Sequence, residues 1–165
     1  MEAETLPIDH RPFEENDAAV ISRFAQSEEE LFFFLPKAAF PLEPVQLIAQ
    51  ARETTCPTVA LWNNAVAGYV HFIEVRQRGF CTIGSLIVAP EFRRKGVATH
   101  LIQTMIKKSE AQFCARFVHA ACFSHNTPAY QLYAKLGFTP ADMVLRPATD
   151  GEMVLLVHMH RRTGF

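Results

Sequence analysis

Between an apolar run ending at Ala89 and an amphipathic stretch beginning near Lys95 stand ten residues, Pro90-Glu91-Phe92-Arg93-Arg94-Lys95-Gly96-Val97-Ala98-Thr99. A helix that starts here presents unpaired N–H groups and the positive end of its dipole, and Gly96 and Ala98 let a large anion reach the backbone unobstructed. Arg93, Arg94 and Lys95 add cationic donors where a pyrophosphate would lie, and the Thr99 hydroxyl adds one more hydrogen bond. The bland alternative is a basic helix start with a small residue for packing. The spacing is neither Gly-x-x-x-x-Gly-Lys-Ser/Thr nor Gly-x-Gly-x-x-Gly, so triphosphate hydrolysis and dinucleotide redox chemistry lose their usual support.

About 30 residues on comes Asn126-Thr127-Pro128-Ala129-Tyr130-Gln131-Leu132-Tyr133-Ala134-Lys135-Leu136-Gly137-Phe138. Asn126 fits a helix cap and Pro128 a first turn. Ala129, Leu132, Tyr133 and Leu136 share one helical face, which turns Tyr133 toward the sheet. A tyrosine there is either a hydrogen-bonded core residue or an acid.

The elements that must hold these two clusters can be read along the chain. A strand is expected over Leu6 to Phe13, a helix over about 17 to 26 after Asn16-Asp17, and a second helix from Pro44. The run Leu31-Phe32-Phe33-Phe34-Leu35 precedes a proline-bracketed loop and reads as core or as one wall of a ligand pocket. Thr58 to Trp62 and Val66 to Val75 form a hairpin about Asn63-Asn64, with Trp62 as a packing residue, and a further strand runs from Phe80 to Ala89. Val97, Leu101 and Met105 with Ala98, Ile102 and Ile106 make one apolar stripe of some four turns. Phe117 to Phe123 is a strand, about Thr127 to Leu136 a helix ended by Gly137, and Ala141 to Arg146 with Glu152 to His160 a closing hairpin. The result is one mixed α/β unit with a mostly antiparallel sheet.

Composition bounds the function. With 165 residues, 49% hydrophobic and 20% charged, the chain is one soluble globular domain, taken as residues 5–165, large enough to bury a core without staples. A net charge of -1 argues against a nucleic-acid binder. Residues 1–55 nevertheless carry 11 acids against 4 bases, which favours a cationic acceptor. No apolar stretch approaches the ~20 residues of a membrane span, and the opening Met-Glu-Ala-Glu-Thr is unlike a signal peptide. A cytoplasmic protein with no membrane association is expected. Cys56, Cys81, Cys114 and Cys122 show no Cys-x-x-Cys and no His at a ligand interval, so they read as reduced thiols and no metal is expected. His158 and His160 read as an exposed or edge-strand pair.

The two clusters together resemble the GNAT superfamily of acyl-CoA-dependent N-acetyltransferases. The first matches its Arg/Gln-x-x-Gly-x-Gly/Ala signature from Arg93 to Ala98; the second matches Asn-x-x-Ala-x-x-Leu-Tyr-x-x-x-Gly-Phe from Asn126 to Phe138. The element order is also that of the family. The resemblance implies a six- to seven-stranded, mostly antiparallel sheet flanked by about four helices, opened where the strands near 86 and 120 splay apart.

In that opening the resemblance places acetyl-CoA as co-substrate. Backbone groups of Leu86, Ile87 and Val88 would pair with the pantetheine arm, the N–H groups from Arg94 through Lys95, Gly96, Val97 and Ala98 to Thr99 would bind the pyrophosphate, and Asn126 would touch the pantetheine. Tyr133 would stand by the thioester sulfur as general acid. Some relatives carry a Glu or His base six or four residues before Val88, where this chain has Thr82 and Gly84, and relatives acting on protein N-termini can place a Glu where it has Ala121. His119 is the candidate base in their stead, with Glu74 and His71 on the neighbouring strand also able to pass a proton through water.

The expected activity is acetyl transfer from acetyl-CoA to a primary amine of a small molecule or peptide, by direct attack in a ternary complex. Acylation of a protein lysine or N-terminus, and a non-catalytic acyl-CoA sensor, are the alternatives; a homodimer is allowed.

Overall fold

The computed structural model describes residues 7–165. Leu6, the expected first residue of the opening strand, and the domain boundary at residue 5 lie outside the described residues. Seven strands form one sheet in the order β1-β2-β3-β4-β5-β7-β6, and all pair antiparallel except β4 with β5. The strands are β1 Ile8–Pro12, β2 Thr55–Trp62, β3 Ala65–Val75, β4 Phe80–Val88, β5 Phe117–Phe123, β6 Thr139–Pro147 and β7 Met153–Arg162. Asn63 and Asn64 both take positive φ, 46° and 69°, and close β2 onto β3 as the sequence predicts.

Five helices complete the fold: α1 Ala18–Ile21, α2 Glu28–Phe34, α3 Pro44–Arg52, α4 Val97–Phe113 and α5 Thr127–Lys135. The helix expected over 17–26 is instead the single turn α1. Its chain bends at Ser22, whose hydroxyl donates to Ala19 O, because Phe24 and Ala25 turn inward to be buried. Most of the aromatic run expected as core or as one wall of a pocket lies in α2, a helix not expected there, capped by Ser27, which accepts from Glu30 N.

Two apolar cores result, one on each face of the sheet. Leu101, Ile102 and Met105 of α4 and Tyr133 of α5 pack on Val70, Phe72, Cys81, Ile83 and Val118. Ile21, Phe24, Leu31, Phe34 and Leu47 from α1–α3 pack on Val59, Tyr69 and Ile87. Leu31 and Phe34 therefore bury like any core pair, and α2 is held where it can form the rim of a site.

β4 and β5 diverge. They pair only at Phe80 with Phe117, Cys81 with Val118 and Thr82 with His119. Beyond Thr82 no strand among the described residues pairs with the β5-facing edge of β4, and Ser85, at φ 53°, kinks the strand at that point.

Candidate functional site

The divergence opens a cleft of about 710 Å³ between the two halves of the sheet. Ile83, Gly84, Ser85 and Leu86 supply one wall from β4, and Ala121, Cys122 and Phe123 supply the other from β5. Asn126, Ala129 and Tyr133 close it from α5, while Phe33, Phe34 and Gln50 face it from α2 and α3. Leu86, Asn126 and Tyr133, three residues singled out by sequence, thus meet in one cavity. Ile87 turns away into the core under α1–α3, and Val88 packs at the edge of the other core.

At the far end of β4, Pro90–Phe92 form one 3₁₀ turn, and Arg94 and Gly96 take positive φ, 61° and 86°. Gly96 is the N-cap of α4, and no side chain caps it, so the opening amides of this 17-residue helix point outward with no intrahelical acceptor. Val97 is buried, anchoring the turn, whereas Ala98 and Thr99 are half-exposed. The cations beside this helix start divide. Arg94 is exposed. Lys95 Nζ sits 5.3 Å over the Trp62 ring, and Trp62 stacks on Phe92, consistent with the packing role expected for Trp62.

Arg93 is turned elsewhere. Its guanidinium pairs with Glu30 of α2 and donates to Val88 O and Phe24 O at 3.2 Å each. The expected phosphate donor is, as placed, a strut between the end of β4 and the α2 rim. The signal that could have revealed this partner was Ser27-x-x-Glu30, the start signature of a helix.

Tyr133 is 4% exposed, edge-on to Phe138 with ring centroids 5.3 Å apart. Burial, with the Cys122 thiol beside it, raises its hydroxyl well above the ordinary phenol range, so it is protonated across neutral pH and able to donate. Asn126 accepts from Ala129 N as the cap of α5 while facing the cleft, so its capping and cavity-lining readings coexist.

His119 is not brought into this cavity; its ring stacks on Phe80 at 4.4 Å. Burial and the positive field of His160 lower its pKa. His160 faces it across the β5–β7 pair, and His158 Nδ1 lies 2.6 Å from Asp142 Oδ1. β7 lies between β5 and β6, so this pair is half-exposed on an interior strand rather than an edge, and among the described residues no three His, Cys, Asp or Glu are grouped to hold a metal. No helix among them is long and apolar enough to cross a membrane.

The acidic first third contributes one carboxylate to the cleft lining, Glu53, set against Lys37. The rest of that side mixes Gln46 and Gln50 with an aromatic group: Phe33 lies 6.2 Å from Phe123, which stacks on Phe32 at 4.4 Å. The charge balance of residues 1–55 therefore says little about the acceptor.

The acetyltransferase (GNAT) family matches residues 21–138. An N-alpha-acetyltransferase of Saccharolobus solfataricus is 29% identical over 109 residues, 60% of this chain and 65% of the relative. Two solved structures cover nearly all of the fold. A GNAT-family acetyltransferase from Bacillus anthracis has a TM-score of 0.77 at 16% identity, covering 94% of this chain and 95% of its own. The yncA protein of Salmonella typhimurium, solved with acetyl-CoA as its cofactor, has a TM-score of 0.73 at 19% identity, covering 96% and 95%. The chain thus spans just under two thirds of its curated relative's length. With the family match running from α1 through α4 to the end of the Asn126–Phe138 cluster, this chain belongs to the GNAT family of acetyltransferases.

Proposed function

We propose that the chain is an N-acetyltransferase that moves the acetyl group of acetyl-CoA to a primary amine by direct attack within a ternary complex. The observation that supports this reading is the cleft where Tyr133, Asn126 and the edge of β4 beyond Thr82 meet; the capless start of α4 follows the same strand along the chain. The strand edge of Leu86 to Val88 holds the pantetheine arm and the thioester carbonyl. The amides from Arg94 to Thr99 receive the pyrophosphate. Attack on a thioester needs a donor at the developing oxyanion and a proton for the departing thiolate; the backbone of β4 supplies the first and Tyr133 the second.

The acceptor enters from the side of α2 and α3. Its wall joins Phe33 and Phe34 of α2 to Gln46, Gln50 and Glu53 on the α3 side, which suits an amine carried on a body with both apolar and hydrogen-bonding groups, such as the N-terminus of a peptide. The Saccharolobus relative, named an N-alpha-acetyltransferase, supports the same class. A panel of peptide N-termini, polyamines and small amines with acetyl-CoA, read by free thiol release, tests the reading. Thiol release with peptide N-termini is expected; thiol release with none of the amines would sink it in favour of a non-catalytic acyl-CoA-binding module.

A further inference from the structure

β6 is the last strand of the sheet, and no strand among the described residues pairs with its far side. Alternation along the strand fixes which backbone groups that side carries. Ala148 N donates to Glu152 O at 2.7 Å, so the residues of β6 in step with it, Arg146, Val144 and Asp142, turn their N–H and C=O toward β7. On the other side of β7, Ser124 N donates to Leu155 O, so Leu155, opposite Leu145, directs its own backbone groups away from β6. The N–H and C=O of Met143 and Leu145 therefore face outward. Leu145 O accepts instead from the Arg146 guanidinium of its own chain at 3.2 Å. Pro147, in step with these two, has no N–H to leave unpaired, which suits an edge position.

The side chains beside this edge are as open as its backbone. Met143, Leu145, Met153 and Leu155 are between 40% and 61% exposed, and the pairing of Leu145 with Leu155 puts all four on one face of the hairpin. An edge this apolar is a template for another strand. Asp142 and Arg146 stand on the opposite face, two residues to either side of Val144. Asp142 binds His158 Nδ1 through Oδ1, and both it and Arg146 are exposed.

We propose that two copies of the chain join at this edge, β6 antiparallel to β6, about a two-fold axis at Val144. With the axis there, Met143 stands opposite Leu145 of the second copy, and Leu145 opposite its Met143. Outward backbone thus meets outward backbone, and each such pair exchanges two N–H···O=C bonds. The same alignment sets Asp142 opposite Arg146 of the second copy, and Arg146 opposite its Asp142, as close pairs of opposite charge. Moving the axis one residue either way sets both charges against neutral residues. The charges therefore select this register, and they select a second copy of the chain over an unrelated strand. The axis stands perpendicular to the sheet, which brings the exposed apolar side chains of both copies together on one face.

Sedimentation velocity across a concentration series, with amide hydrogen exchange measured at both ends of it, tests the pairing. The wild-type chain should reach twice the chain mass as concentration rises, and the outward amides of Met143 and Leu145 should slow their exchange in step with that change. Asp142→Arg and Arg146→Asp each set like charges across the axis and should weaken association at least about 10-fold. Combining the two substitutions puts opposite charges together again and should restore it. A wild-type chain that keeps the single mass at every concentration would overturn the proposal. So would a dimer in which the Met143 and Leu145 amides still exchange fast, or a combined variant that associates no better than the single ones.

Discussion

Replacing Tyr133 by Phe is the sharpest perturbation of the cleft. The ring is 4% exposed and packs edge-on to Phe138, so Phe keeps the packing and removes one hydroxyl. Loss of that hydroxyl should change stability by about 1 kcal/mol at most, a shift of a few degrees in a chain of this size. The affinity for acetyl-CoA, which the proposed function assigns to the strand edge and the helix start, should be unchanged by calorimetry. Turnover is another matter. Burial keeps the phenol protonated, and a positioned acid is worth roughly 10²- to 10⁴-fold, or about 3 to 5 kcal/mol of barrier. Thiol release followed at saturating acetyl-CoA measures it. The loss should shrink for donors whose leaving thiol has a lower pKa, since such a thiolate needs less help. Wild-type turnover in Tyr133→Phe, or a loss independent of the leaving group, would refute the assignment and return Tyr133 to the core.

Three further outcomes follow from the geometry. Gly96→Glu places a carboxylate and a strained φ of 86° at the cap of α4, so calorimetry should show acetyl-CoA affinity falling by at least 10²; unchanged affinity would refute the pyrophosphate placement. Arg93→Gln frees Glu30 and the α2 rim; because the pair is part-exposed it should cost only about 1 kcal/mol of stability, yet raise KM for the acceptor more than KM for acetyl-CoA, and equal rises would contradict the strut. Burial holds His71 at about 4, below an exposed imidazole, so the unfolded chain takes up the proton first as pH falls. That contribution is whole above about pH 6.5, is lost as pH falls through about 4, and amounts to about 3 kcal/mol. Urea unfolding at pH 7.5 and 4.5 should therefore show a larger acid loss in wild type than in His71→Gln, and equal losses would place His71 in water.

Legibility tracked how far each element's role is encoded in its own residues. The α4 stripe, the Asn63-Asn64 turn and the Asn126 cap are local rules, and the structure keeps each within a residue or two. The helix start at Gly96 could be read for the same reason, and Gly96 caps α4 at φ 86°. α2 could not be read by period, because Leu31 to Leu35 is apolar at every position and conceals any 3.6-residue rhythm; only its cap signalled it. α1 was overread because burial of Phe24 and Ala25 in the second core, a tertiary demand, ends the helix early.

The relative placing of the proton-handling candidates is hidden for a different reason. Sequence points along one strand at a time, and at Thr82, Gly84 and Ala121 it found no titratable side chain. His71, which the sequence offered on the neighbouring strand, lies opposite Gly84 because β3 and β4 pair with a shift between Tyr69 and His71, next to the positive φ of Ser85. The same kink turns Ile87 toward one core while Ile83 serves the other. One residue with φ of 53° thus changes the face that each later residue of β4 presents. A substitution at Ser85 that straightens β4 should therefore disturb cofactor and acceptor sides together, whereas Gly96 and Arg93 act on one side each.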